Sequence, residues 1–209
     1  ARVQNRFSIS AGCDIFMTVT PVMAGLWCQC YAAPLTLWHS PKTAMHHAPL
    51  LATIDLGSNS FRLEISRCTH SAAHSRTERV QYLKEIVRQG NGLDDSGNLS
   101  AAAMQRGWDC LARFASCLAQ YPGIRVRAIA TQTLREARNR EEFVRQGSAI
   151  LGHPIDILSG NEEAQLVYQG VAQGLPPSDE TRLVLDIGGR STELILGQRG
   201  TAHATASFP

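Results

Sequence analysis

The sequence predicts a mixed α/β fold, a sheet with flanking helices followed by the start of a second sheet. Three observations predict it. Residues 183–196 (LVLDIGGRSTELIL) read as an apolar strand, a tight polar turn and a second strand. Residues 51–65 (LATIDLGSNSFRLEI) repeat that order far upstream. Between the two copies strands alternate with helices, and a Pro-Pro linker precedes the second copy. Three strands, a helix, then alternation suggest a sheet covered by helices, and the recurrence is what an internal duplication looks like.

Taken in order, residues 1–48 differ from the rest. They hold Cys13, Cys28, Cys30, Trp27, Trp38, His39, His46 and His47, with almost no acidic residues. The apolar run 15–38 is broken by Pro21, Gln29 and Pro34, so it is poor as a membrane span and as a signal peptide. Cys28 and Cys30 are not at zinc spacing. This stretch is expected to stand outside the fold, with Met45 as a natural start. Strands follow at 50–55, 61–66 and 79–87 as a meander. Residues 89–98 are turn-rich. Ser100 caps a helix to about residue 120, with Met104, Trp108, Leu111, Phe114, Ala115 and Leu118 at helical spacing. A strand at 124–130, helices at 131–137 and 141–150, and a short strand at 155–158 come next. A helix enters at Gly160 and runs to about residue 172. Residues 202–208 read as a further strand. The expected organisation is an extension at 1–48, a first lobe at 49–172, a linker at 173–180 and an incomplete second lobe at 181–209.

Bulk properties narrow the function classes. Hydrophobic content of 44% and charged content of 18% describe a globular chain. A net charge of +2 offers no argument for nucleic acid or a general membrane surface. The six cysteines form no CxxC pair, and Cys110 and Cys117 fall within the amphipathic helix as buried thiols, so a reduced cytoplasmic setting is expected. The turns are more informative. A carboxylate beside a glycine-rich turn of N–H and O–H donors suits a divalent cation together with a phosphate.

Four segments then carry a resemblance: 54–61 (IDLGSNSF), 130–135 (ATQTLR), 157–164 (ILSGNEEA) and 186–193 (DIGGRSTE). Together they resemble the exopolyphosphatase / guanosine pentaphosphate phosphohydrolase family, and bacterial exopolyphosphatases most of all. That family belongs to the actin–hexokinase–Hsp70 superfamily, whose lobes are ribonuclease-H-like and enclose the active site between them. The resemblance runs from about residue 50 to 209, with the first lobe whole and the second truncated. It implies release of terminal orthophosphate from inorganic polyphosphate, or conversion of pppGpp to ppGpp. It also implies Mg²⁺ or another divalent cation, no nucleic-acid partner, a homodimer for the full-length protein, and a cytoplasmic location with peripheral membrane association as a variant. The piece 1–209 alone is expected to hydrolyse weakly or not at all.

Residue by residue, the resemblance makes Glu163 the catalytic carboxylate that activates water. The plain alternative, a helix-start carboxylate favoured by the dipole, suits Glu162. Asp186 and Glu193 match metal positions. Asp55, Gly57, Ser58, Asn59 and Ser60 match the first phosphate turn; Gly188, Gly189, Arg190, Ser191 and Thr192 match the second. Arg135 matches a phosphate-clamping arginine, against a solvated helix arginine as the alternative. Arg190 departs from the family pattern, which has glycine there. If the position needs positive φ, arginine costs roughly a kcal/mol; otherwise it adds a cation to a phosphate site. Arg62 also departs, where many members have histidine, and receives no role. The competing readings are an ATP-dependent sugar or acetate kinase-like member or ATP-driven chaperone of the same superfamily, and a non-catalytic phosphate or nucleotide sensor. The kinases and chaperones would lack the Ser-Gly-Asn-Glu-Glu helix start, and a sensor would have lost Glu163 or Asp186.

Overall fold

A computed structural model of the chain describes residues 5–9, 13–18, 49–70, 75–176 and 178–209. They form two five-stranded sheets with helices against them.

The first sheet has the order β5-β4-β3-β6-β7. Its strands are β3 (Leu50–Leu56), β4 (Ser60–His70), β5 (Ser75–Ile86), β6 (Arg125–Ala130) and β7 (Ile155–Ile157). β3, β4 and β5 make the expected antiparallel meander, while β6 joins β3 in parallel and β7 joins β6 in parallel. Alternation divides β3 between two faces. Ala52, Ile54 and Leu56 enter the main core, and Leu51 and Asp55 face the other way. Helix α1 (Ala101–Leu118) closes the core side. Ser100 Oγ accepts from the Ala103 N–H at 3.3 Å, the capping expected from sequence. Its buried stripe runs through Met104, Leu111 and Phe114, whereas Trp108 is half-buried and donates its Nε1–H to the Phe143 carbonyl at 3.2 Å. Short α2 (Gln132–Glu136) and α3 (Arg140–Leu151) follow, and Phe143 of α3 stacks on Trp108 at 6.0 Å.

The second sheet has the order β1-β2-β8-β9-β10. β8 (Thr181–Ile187), β9 (Thr192–Gln198) and β10 (Thr201–Phe208) repeat the meander of the first lobe. The extension at 1–48 was expected outside the fold. Instead β1 (Asn5–Ile9) and β2 (Cys13–Thr18) pair as a hairpin, and β2 runs parallel to β8. The reason lies in the backbone: an open strand edge carries unpaired N–H and C=O groups that accept another strand. The expected start at Met45 and the Cys28/Cys30 pair lie outside the described residues.

Helix α4 (Gly160–Gln173) is the second departure. Sequence order assigns it to the first lobe. Its buried stripe of Ala164, Val167, Tyr168 and Val171 packs instead on Val184 and Ile195 of the second sheet. On its other side Leu166 reaches Leu51 and Cys68 of the first sheet. α4 therefore lies between the sheets and touches both. Among the described residues no helix is long and apolar enough to cross a membrane.

Candidate active site between the two sheets

Each sheet presents one Asp-Gly turn, and the two turns meet. A β-carbon built on Gly189 would stand 3.3 Å from Asn59 Cβ and 3.5 Å from Ser58 Cβ. On Gly188 it would stand 2.9 Å from the Ser191 carbonyl oxygen. Neither glycine is among the residues of positive φ, so close approach, not left-handed backbone, is what requires them here.

The turns bound a cleft of about 280 Å³. Asp55, Gly57, Ser58, Asn59 and Ser60 line one side. Asp186, Gly188, Gly189 and Ser191 line the other, with Glu163 between. Glu193 stands beside Asp186 as its cross-strand partner and is buried. Its Oε1 accepts from Ser207 Oγ at 2.9 Å, while Oε2 is buried and has no hydrogen-bond partner among the described residues. Thr192 begins β9 opposite Ile187 and does not line the cleft.

Glu163 reaches this place because it opens the buried stripe of α4: Glu163, Val167 and Val171 recur at four-residue spacing. Ser159 fixes the helix start in a capping box with Glu162. The Ser159 N–H donates to Glu162 Oε2 at 2.8 Å, so the first glutamate of the pair serves the cap and the second faces the cleft. Burial, with Glu193 and Asp55 nearby, pushes the Glu163 carboxyl up to about 7, against the lowering effect of Arg135. Burial and the same two carboxylates push Asp186 up to about 7. Burial also raises Asp55, partly offset by Arg62.

Two cations stand elsewhere than expected. Arg135 does not line the cleft. Its Nη1 donates to Glu163 Oε2 at 3.1 Å and to the Leu158 carbonyl at 2.7 Å, and its Nη2 to Gln132. The fork is occupied in holding the glutamate. Arg190 also leaves the cleft. It crosses to the first lobe and donates to the Gly90 carbonyl at 3.3 Å and to Glu136 Oε2 at 3.2 Å. Its backbone is not of positive φ, so arginine carries no left-handed strain there. Three polar residues of the cleft lie outside the set expected from sequence: Arg62, Lys84 and Thr131. Arg62 Nη1 donates to Asp55 Oδ2 at 3.1 Å. That pair was readable, since the Gly-Ser-Asn turn sets a register that places Asp55 opposite Arg62. Lys84 needed the third strand's register as well.

Two mixed sheets, each presenting an Asp-Gly turn to the other, fit the fold of the actin–hexokinase–Hsp70 superfamily. Comparison with known proteins narrows this. The Ppx/GppA phosphatase family profile matches residues 68–209, and the chain belongs to that family. A guanosine-5'-triphosphate,3'-diphosphate pyrophosphatase of Vibrio cholerae is 47% identical over 164 residues, covering 77% of this chain and 31% of that protein. One from Aeromonas hydrophila is 44% identical over 164 residues, covering 78% and 32%. The chain thus spans about a third of the length of these curated relatives. Among solved structures, an exopolyphosphatase from Cytophaga hutchinsonii superposes with a TM-score of 0.70 at 28% identity, over 76% of this chain and 50% of that one. The Aquifex aeolicus PPX-GPPA enzyme gives 0.67 at 26% identity, over 77% and 52%.

Proposed function

We propose that the protein is a phosphoanhydride hydrolase that removes the terminal phosphate of pppGpp, with inorganic polyphosphate as a second substrate. The observation that carries this reading is the position of Glu163. It is a buried carboxylate in the cleft, between the Asp55 turn and the Asp186 turn. A general base works best with a pKa near the operating pH, and about 7 meets that. In the proposed reaction Glu163 takes a proton from the attacking water, and Arg135 holds the carboxylate in place. The hydroxyls and N–H groups of Ser58, Asn59, Ser60 and Ser191 bind phosphate oxygens. The names of the Vibrio and Aeromonas relatives favour pppGpp as the first substrate.

A divalent cation belongs to this proposal. The unpartnered, buried Glu193 Oε2 and an all-oxygen donor set fit Mg²⁺. Among the described residues no ready-made group of three metal-ligating side chains is present. Asp186 and Glu193 would hold the ion, and waters would complete its shell, as Mg²⁺ commonly keeps several. Bound there, it would neutralise charge on the phosphate oxygens.

Orthophosphate release by the full-length protein tests the reading, with pppGpp and long-chain polyphosphate as substrates, ATP as control, and Mg²⁺ present or absent. Mg²⁺-dependent release from pppGpp exceeding that from ATP is expected. Phosphorylation of a sugar or acetate from ATP, with no release from either substrate, would instead support the kinase reading.

A further inference from the structure

We propose that Lys84 binds the phosphate adjacent to the one released, and so lets the site favour phosphate chains over orthophosphate. This rests on the phosphohydrolase reading above and assigns a residue to the substrate's second phosphate.

The argument begins with strand register. In the first sheet Asp55, Arg62 and Lys84 are cross-strand partners on β3, β4 and β5. Directly opposed residues share a face, so the three form one row across the sheet. In the second sheet the corresponding row is Asp186, Glu193 and Ser207 on β8, β9 and β10. In both copies the turn aspartate meets the residue seven positions later, so Arg62 occupies the place of Glu193, and Lys84 that of Ser207. The duplicated rows have diverged in charge. One reads acid, base, base; the other reads acid, acid, hydroxyl. The second wall suits a cation and the first suits an anion.

Within the first row the two bases are not equally available. Arg62 is committed to Asp55 at 3.1 Å. Lys84 is exposed, lines the cleft, and takes part in none of the ion pairs among the described residues. The neighbouring arginines are committed too, Arg135 to Glu163 and Arg190 to Glu136. Among the described residues Lys84 is therefore the cleft cation left for a ligand. An ammonium on a flexible stem suits non-bridging phosphate oxygens without demanding one geometry. β5 is the outermost strand of its sheet. A phosphate chain with its end between the turns can thus pass Lys84 and continue beyond the sheet edge.

The test is calorimetric binding of orthophosphate and of tripolyphosphate, each with Mg²⁺, to the unsubstituted protein, Lys84→Met and Lys84→Arg. Lys84→Met should weaken tripolyphosphate about tenfold and orthophosphate less than about twofold, and Lys84→Arg should retain most of the affinity. An unchanged melting temperature controls for folding. Equal losses for both ligands, or no loss for either, overturn the assignment of Lys84 and leave the hydrolase reading intact. Failure of the unsubstituted protein to bind either ligand removes both.

Discussion

At the scale of single residues, Glu163 carries the most consequence. In the proposed role of general base its removal should be severe: Glu163→Gln is expected to lower kcat by about 10²–10⁴ while KM changes little, measured on the full-length protein. The same carboxyl makes stability depend on pH. Its pKa and that of Asp186 are raised from 4.5 and 3.8 to about 7, so the folded state holds protons that the unfolded chain has released. Stability is then fullest below the unfolded values and falls as pH rises through about 7. Urea denaturation at steps of pH, without divalent cations, should show this decline, and Glu163→Gln should flatten it. A slope unchanged in that variant would mean that other groups set it. The helix start that carries Glu163 was legible in the Gly-Asn-Glu-Glu segment. The raised pKa of Glu163 was not, because the carboxylates near it come from both sheets.

At the scale of elements, α4 and the second turn decide the cleft. α4 rests on the second sheet through Tyr168, and Gly197 makes room for it. A β-carbon at Gly197 would lie 2.3 Å from Tyr168 Cζ and 2.4 Å from the Thr201 carbonyl oxygen. Gly197→Ala should destabilise by about 1–3 kcal/mol in urea melts. Tyr168→Phe should be neutral or slightly stabilising, because the buried hydroxyl has no hydrogen-bond partner among the described residues. The second turn contributes Arg190, which spans to Glu136 with both side chains partly exposed. Exposed pairs of this kind are worth about 0–1 kcal/mol. Arg190→Gly should therefore leave phosphate affinity within about twofold, and a tenfold loss in calorimetry would return Arg190 to the cleft. Strand and helix positions were mostly readable, since apolar spacing, Ser100 and Ser159 mark them locally. The face on which α4 packs was not, because an amphipathic stripe specifies that a partner exists and not which one.

At the scale of the whole molecule, the two sheets and α4 bring four carboxylates near one another: Asp55, Glu163, Asp186 and Glu193. A divalent cation at Asp186 and Glu193 would relieve that repulsion only in the folded state. Mg²⁺ at 100 times its dissociation constant should stabilise by about 2.7 kcal/mol, read as a rise in Tm that EDTA reverses and Glu193→Gln abolishes. The sequence by itself determined the duplicated strand–turn–strand units and the family's motifs, because each depends on residues near in the chain. The tertiary structure decided where the charges point. Arg135 holds Glu163, Arg190 bridges the lobes, β2 joins β8, and Lys84 is left facing the cleft. Those outcomes depend on which distant surfaces meet, and local spacing carries no record of that.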